Sequence, residues 1–129
     1  MRQLRQKMFR IFALIALFAA PMAQAEVRLV MFDQPGCVYC LRWTSEVGDA
    51  YDRTIEGQRA PLWRIDIHEK VPASIVLARR AVYTPTFVLL DEQHQEVSRI
   101  EGYPGEAFFW GLLAVMLMQL PPETGEPNE

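Results

Sequence analysis

Five of the six residues from Val27 to Phe32 (VRLVMF) are apolar, and so are four of the five from Thr86 to Leu90 (TFVLL). A strand with one wet face alternates polar and apolar positions, so runs this continuous belong to central strands covered on both sides. The intervening segments must therefore supply covering layers. Val38 to Tyr51 spaces Leu41, Val47 and Tyr51 among Arg42, Glu46 and Asp49 as a helix would. Asp52 to Pro61 (DRTIEGQRAP) is polar and reads as a loop. Leu62 to Ile67 (LWRIDI) puts Trp63, Ile65 and Ile67 on one face of a strand.

Pro72 suits the first turn of a short helix through Arg80, with Ile75, Val76 and Leu77 as apolar contacts and Arg79-Arg80 at its negative end. Asp91 to His94 is a hairpin turn after Thr86–Leu90, and Glu96 to Glu101 is the returning strand. Gly102-Tyr103-Pro104-Gly105 opens a last helix from about Glu106 to Leu120. The expected fold class is α/β in the order βαβαββα. Strands joined by a helix run parallel and hairpin strands antiparallel, which gives a mixed four-stranded sheet with helices on both faces.

The first 25 residues stand apart. Arg2, Arg5, Lys7 and Arg10 precede an apolar stretch from Ile11 to Ala20, then Pro21 and the small-x-small triplet Ala23-Gln24-Ala25. This is the pattern of a secretory signal peptide, 1–25, cleaved before Glu26. An uncleaved anchor is the alternative, against which the apolar core falls well short of the roughly 20 residues that span a bilayer. The mature domain is then 26–120, about a hundred residues and one core, followed by a polar, proline-rich tail, 121–129, that is expected to be disordered. Four of the 13 basic residues and none of the 16 acidic ones fall in the signal, so the mature chain carries a formal charge of −7. That acidity, with no basic run interleaved with aromatics, excludes nucleic acid as a partner. Export through an envelope membrane places the domain in the periplasm, where disulfides persist.

Cys37 and Cys40 are the only cysteines, set as Gly36-Cys37-Val38-Tyr39-Cys40 between the first apolar run and the first helix. A disulfide across so small a ring contributes only about 2 kcal/mol by restricting the unfolded chain, less than the roughly 3 kcal/mol of a fifteen-residue loop. An inert staple is therefore the weaker reading. A thiolate at a helix start faces free backbone N–H groups and the positive end of the dipole, which lower its pKa and make it a nucleophile.

The strand ending in Pro35-Gly36-Cys37-Val38-Tyr39-Cys40, the helix after it and the later Thr84-Pro85 before a buried strand resemble the thioredoxin superfamily over nearly all of the mature chain. The outline is its minimal, glutaredoxin-like form, because the CxxC strand begins almost at the cleavage point. The resemblance implies a thiol–disulfide oxidoreductase without a cofactor. In it Cys37 is the exposed attacking thiolate, and Cys40, deeper in the fold, resolves the mixed disulfide. It also implies a cis peptide at Pro85, with the Thr84 backbone free to pair with an extended substrate. Gly36 stands where thioredoxins often carry Trp. Tyr39 either flanks the substrate groove or covers the helix start. Val38-Tyr39 is neither the Gly-Pro of thioredoxin nor the Pro-His of strong oxidants, so the direction of electron flow stays open between reductant and oxidant or isomerase. Met31 replaces the acid that thioredoxins bury six residues before the first cysteine, and Asp33 reads as a strand-end or turn residue.

A closer likeness, carried by PGCVYCLRW, TPTFVLL and RIEGYPGEAFFWGLL, is to the small periplasmic thioredoxins of sulfur-oxidation systems. It implies the sulfur-carrier protein SoxYZ as the substrate, kept active by reduction of a wrongly oxidised carrier cysteine. A membrane thiol–disulfide donor would then recharge the dithiol.

Two further readings compete for particular residues. Cys37, Cys40, His68 and His94 form an adequate zinc ligand set, as an adaptor or metal-handling protein would need, although the histidines lack the usual close spacing. Haem attachment is excluded by Leu41 in the place of the required His. The last helix has no polar side chain from Ala107 to Met118 (AFFWGLLAVMLM), whereas one helix on one sheet face should be amphipathic. Some of Phe109, Trp110, Leu113 and Leu117 are therefore expected to stay exposed or to meet a protein partner, unless loops wrap them.

Overall fold

The computed structural model describes residues 26–122. The expected signal, 1–25, and most of the expected tail, 123–129, lie outside the described residues. The first apolar run forms β1 (Arg28–Asp33) and the second forms β3 (Thr86–Leu90). They lie side by side and antiparallel at the centre of a sheet ordered β2-β1-β3-β4, with Leu29 opposite Leu89 and Met31 opposite Phe87. The edges are β2 (Leu62–Asp66), parallel to β1, and β4 (Glu96–Glu101), antiparallel to β3. The mixed four-stranded sheet is thus the expected one.

Alternation along the strands divides the core in two. Leu29, Met31, Phe87 and Leu89 face one way and pack with the helices, whereas Val30, Phe32, Ile65, Val88 and Leu90 face the other. The helical layer begins with α1, which runs as α-helix Val38–Trp43, widens to a π-helix over Thr44–Gly48 and ends as α-helix Asp49–Tyr51. Trp43, Val47 and Tyr51 are its buried residues beyond the cysteines. Trp43 meets Phe87 and Phe109 at ring-centroid distances of 5.1 and 5.6 Å, and Arg64 lies over its outer face at 5.5 Å.

Two expectations are corrected in the connections. The polar segment Asp52–Pro61, expected as a loop, contains a one-turn helix α2 (Ile55–Arg59). Thr54 caps it: its Oγ1 accepts the Gly57 N–H at 3.0 Å and donates to the Tyr51 carbonyl at 2.6 Å. Conversely, Pro72–Arg80 is not a helix. Val76 spends its backbone on β4, donating its N–H to the His94 carbonyl (3.0 Å) and accepting from the Glu96 N–H (2.9 Å). The Ala78 N–H goes to Glu96 Oε2 at 2.7 Å. Groups so engaged cannot close helical turns. The second sheet face is consequently covered by an irregular connection bearing Val71, Ile75, Leu77 and Ala81, and among the described residues the helices lie on one face rather than on both.

The last helix, α3 (Glu106–Leu117), buries Phe109, Leu113, Met116 and Leu117 against the sheet and α1. The exposed stripe expected here exists, but on other residues: Phe108 is 72% exposed and Met118 75%, with Leu112 and Val115 between them. Trp110 is half-buried and stacks on Tyr51 at 6.1 Å. No described helix is long and apolar enough to cross a membrane.

Candidate active site

The site forms where β1 ends. Pro35-Gly36 turns the chain, with Gly36 at φ +77°, a conformation that L side chains rarely adopt. The Cys37 N–H donates to the Gln34 carbonyl at 3.3 Å and closes that turn. Cys37 is then the N-cap of α1, with extended backbone (φ −73°, ψ 105°), and its carbonyl accepts the Leu41 N–H at 3.1 Å. Its Sγ accepts the Cys40 N–H at 3.1 Å, so sulfur occupies the place that a Ser or Asp oxygen takes in an ordinary helix cap.

Cys37 and Cys40 are joined in a disulfide with their Cα atoms 5.2 Å apart. The expectation of one exposed and one buried cysteine is corrected, since Cys37 is 8% exposed and Cys40 5%. What differs between them is the cap: the Cys37 sulfur takes an N–H of the helix start. Beneath the disulfide lies apolar material, with Met31 fully buried in the same cluster. Asp33 ends β1 as expected and points its carboxylate at Arg64 (2.9 Å), which also reaches Thr44 Oγ1 on α1 at 2.8 Å.

Fifty residues further on, Thr84-Pro85 is a cis peptide. Gln34 Nε2 donates to Thr84 Oγ1 at 3.0 Å, which fastens this loop to the turn before Cys37. The Pro85 carbonyl accepts the Gly102 N–H at 2.7 Å and ties it to the end of β4. Val38, Tyr39 and Leu41 stand exposed on the first turns of α1, and Val82 and Tyr83 on the loop before Thr84. Gly36 and Cys37 therefore sit on the turn that leads into α1, Cys40 on the first turn of that helix, and Thr84 and Pro85 on a loop hydrogen-bonded to the same turn, with Tyr39 an exposed neighbour.

Sequence reasoning missed Gln34 and Tyr103. Gln34 was visible only as a polar residue in a turn, with nothing to pair it with Thr84. Tyr103, buried in the cluster that holds the cysteines, donates its hydroxyl to Glu46, whose other oxygen accepts Arg42 Nε at 2.8 Å. Burial pushes the Tyr103 phenol up, reinforced by the Glu46 carboxylate. The Tyr103 hydroxyl, and after it Arg42, holds the Glu46 carboxyl below its ordinary value.

The zinc alternative is not assembled. Among the described residues no three His, Cys, Asp or Glu side chains come together as metal ligands. His68 follows β2 with its Nδ1 3.0 Å from Asp66, and His94 sits in the hairpin turn with its ring 5.8 Å from Trp63.

A cysteine pair closed over the first turn of a helix, at the end of a central strand and beside a cis-proline loop, places the chain among thioredoxin-like proteins. Residues 18–116 match the family described as a thioredoxin-like domain, and the chain belongs to that family. Among solved structures it is similar to the periplasmic thioredoxin SoxS from Paracoccus pantotrophus, in its reduced form. The two are 48% identical with a TM-score of 0.70, over 73% of this chain and 98% of that one. No curated protein matches the chain.

Proposed function

We propose that the protein is a periplasmic thiol–disulfide oxidoreductase that reduces a disulfide or mixed disulfide in a protein substrate. The observation that carries this reading is the Cys37 sulfur held as the helix cap by the Cys40 N–H at 3.1 Å. In the reduced protein the same N–H and the helix dipole favour the Cys37 thiolate. That thiolate attacks one sulfur of the substrate; a Cys37–substrate bond forms as the substrate S–S bond breaks, and the departing thiolate takes a proton. Cys40 then loses its proton and attacks Cys37 Sγ, which restores the intramolecular disulfide and releases the second substrate thiol. Two electrons pass to the substrate.

The exposed apolar residues Val38, Tyr39, Leu41, Val82 and Tyr83 suit a polypeptide better than a small polar disulfide. Thr84, Pro85, Tyr39 and Gly36 bind the substrate in this reading, with the Thr84 backbone pairing with its extended segment. The signal-like residues 1–25 and the likeness to a periplasmic SoxS support the compartment. In this reading the protein acts as a reductant, its substrate is the sulfur carrier SoxYZ and a membrane thiol–disulfide donor recharges it, as the sequence resemblance of PGCVYCLRW, TPTFVLL and RIEGYPGEAFFWGLL implies.

Replacing Cys40 with Ser tests the assignment. The variant should accumulate a mixed disulfide through Cys37, identified by mass spectrometry of the non-reduced adduct. If no adduct forms and the wild-type pair binds zinc instead, the metal-handling reading takes its place. A reduction potential near −270 mV for the pair supports a reductant, whereas one near −120 mV makes the protein an oxidant.

A further inference from the structure

A cavity of about 240 Å³ opens beside the Gln34 turn, between it and the connection that leads into β3. Gln34, His68, Arg80 and Thr84 give it a polar wall, and Ala81 and Val82 part of an apolar one. It lies close to the reacting sulfur, because the Gln34 carbonyl holds the Cys37 N–H and the Gln34 amide holds Thr84. Three of the polar groups are engaged. The Gln34 amide and the Thr84 hydroxyl are used on each other, and the His68 ring faces Asp66. The Asp66 carboxylate also accepts the His68 N–H at 2.8 Å, so it is turned to His68. Arg80 is different: among the described residues its guanidinium has no ion pair and no hydrogen bond, whereas Arg28, Arg42, Arg64, Arg79 and Arg99 each have a carboxylate partner.

We propose that this cavity is a subsite for a carboxylate of the polypeptide substrate, a Glu or Asp beside the reacting cysteine, with Arg80 as its charged partner. A guanidinium matches a carboxylate in a planar, two-point contact, and the exposed Val82 offers apolar surface to the methylene stem. The inference rests on the oxidoreductase reading and narrows its substrate class to polypeptides with an acidic residue next to the disulfide. An acidic domain repels acidic partners at long range, so one free cation at the site decides where such a partner can dock.

The test uses the reduced protein and two disulfide-linked peptides, identical except that the cysteine is flanked on both sides by Glu or by Gln. The ratio of kcat/KM values for the two is the readout. Wild type should favour the Glu peptide about fivefold, the worth of one partly exposed ion pair, and the preference should fade as salt is raised. Arg80→Ala should bring the ratio to about one. Arg80→Glu should reverse it and should favour a third peptide flanked by Lys. Equal rates for both peptides in wild type, or an undiminished preference in Arg80→Ala, overturns the subsite and leaves the oxidoreductase reading standing. Failure of the wild type to exchange with any of the peptides overturns that reading and the subsite with it.

Discussion

Gln34 and Thr84, fifty residues apart in sequence, are joined by a 3.0 Å hydrogen bond from the amide Nε2 to the hydroxyl Oγ1. The turn that delivers Cys37 and the loop that carries Pro85 are thereby set against each other before a substrate arrives. Replacing Gln34 with Ala should cost about 1 kcal/mol in a urea titration, the net value of one such bond. It should also raise KM for a peptide disulfide more than it lowers kcat, because it loosens the binding loop and leaves the sulfurs in place.

The two cysteines are almost equally buried, so accessibility alone predicts equal reactivity. The capping N–H at Cys37 predicts otherwise. In the reduced protein near neutral pH, iodoacetamide should modify Cys37 faster than Cys40 by about tenfold or more, since the thiolate is the reacting form. Peptide mapping after a short pulse of reagent measures the ratio, and equal labelling removes the cap as the basis of the assignment.

Gly57 lies inside α2, where exchange for Ala ordinarily favours a helix by about 1 kcal/mol. Here the added Cβ would fall 1.9 Å from the Tyr51 carbonyl oxygen, a backbone atom that cannot swing aside. Gly57→Ala should therefore destabilise the protein, with a lowered midpoint in thermal unfolding.

Adjacent phenylalanines on α3 make a paired comparison. Phe109 is fully buried among Trp43, Phe87 and Tyr103, and its change to Ala should cost about 3–5 kcal/mol. Phe108 is exposed, and its change to Ser should stay within about 0.5 kcal/mol. Denaturant midpoints of the two variants check the division of the helix into faces.

Glu46 gives the protein an acid-sensitive contact between α1 and the β4–α3 link. Its carboxyl is held below its ordinary value by the Tyr103 hydroxyl and by Arg42, so the folded state binds its proton less readily than the unfolded chain. The stabilisation is complete above the unfolded value and is lost as pH falls through the lower folded one. Wild type should therefore exceed Glu46→Gln in stability at about pH 6, and the gap should shrink on titration to about pH 3.

The strands were legible because their signal is local: the two apolar runs became the two central strands, and Trp63, Ile65 and Ile67 share the face that alternation assigns them. The cysteine pair was legible because a motif at a strand–helix junction needs no partner to be recognised. The connection from Pro72 to Arg80 was misread because its proline and apolar residues satisfy a helix equally well, and the bonds that decide against it come from His94 and Glu96, about twenty residues later. The last helix showed that it had too many apolar residues but not which of them face outward. Both faces are equally apolar in sequence, and it is the packing of Phe109 on Trp43 and Phe87, residues far away in the chain, that buries it and leaves Phe108 exposed.

The connection across the second sheet face is pinned at both ends of its last stretch. Arg99, paired with Glu96 at 2.6 Å, also donates Nη2 to the Arg79 carbonyl at 2.7 Å. Thr86 Oγ1 donates to the Tyr83 carbonyl at 2.7 Å. Between these moorings Arg80, Ala81 and Val82 are the stretch whose backbone no hydrogen bond clamps among the described residues. In the proposed function a docking polypeptide would meet a three-residue span strung like a short bridge between fixed piers and held down at its middle by the buried Ala81.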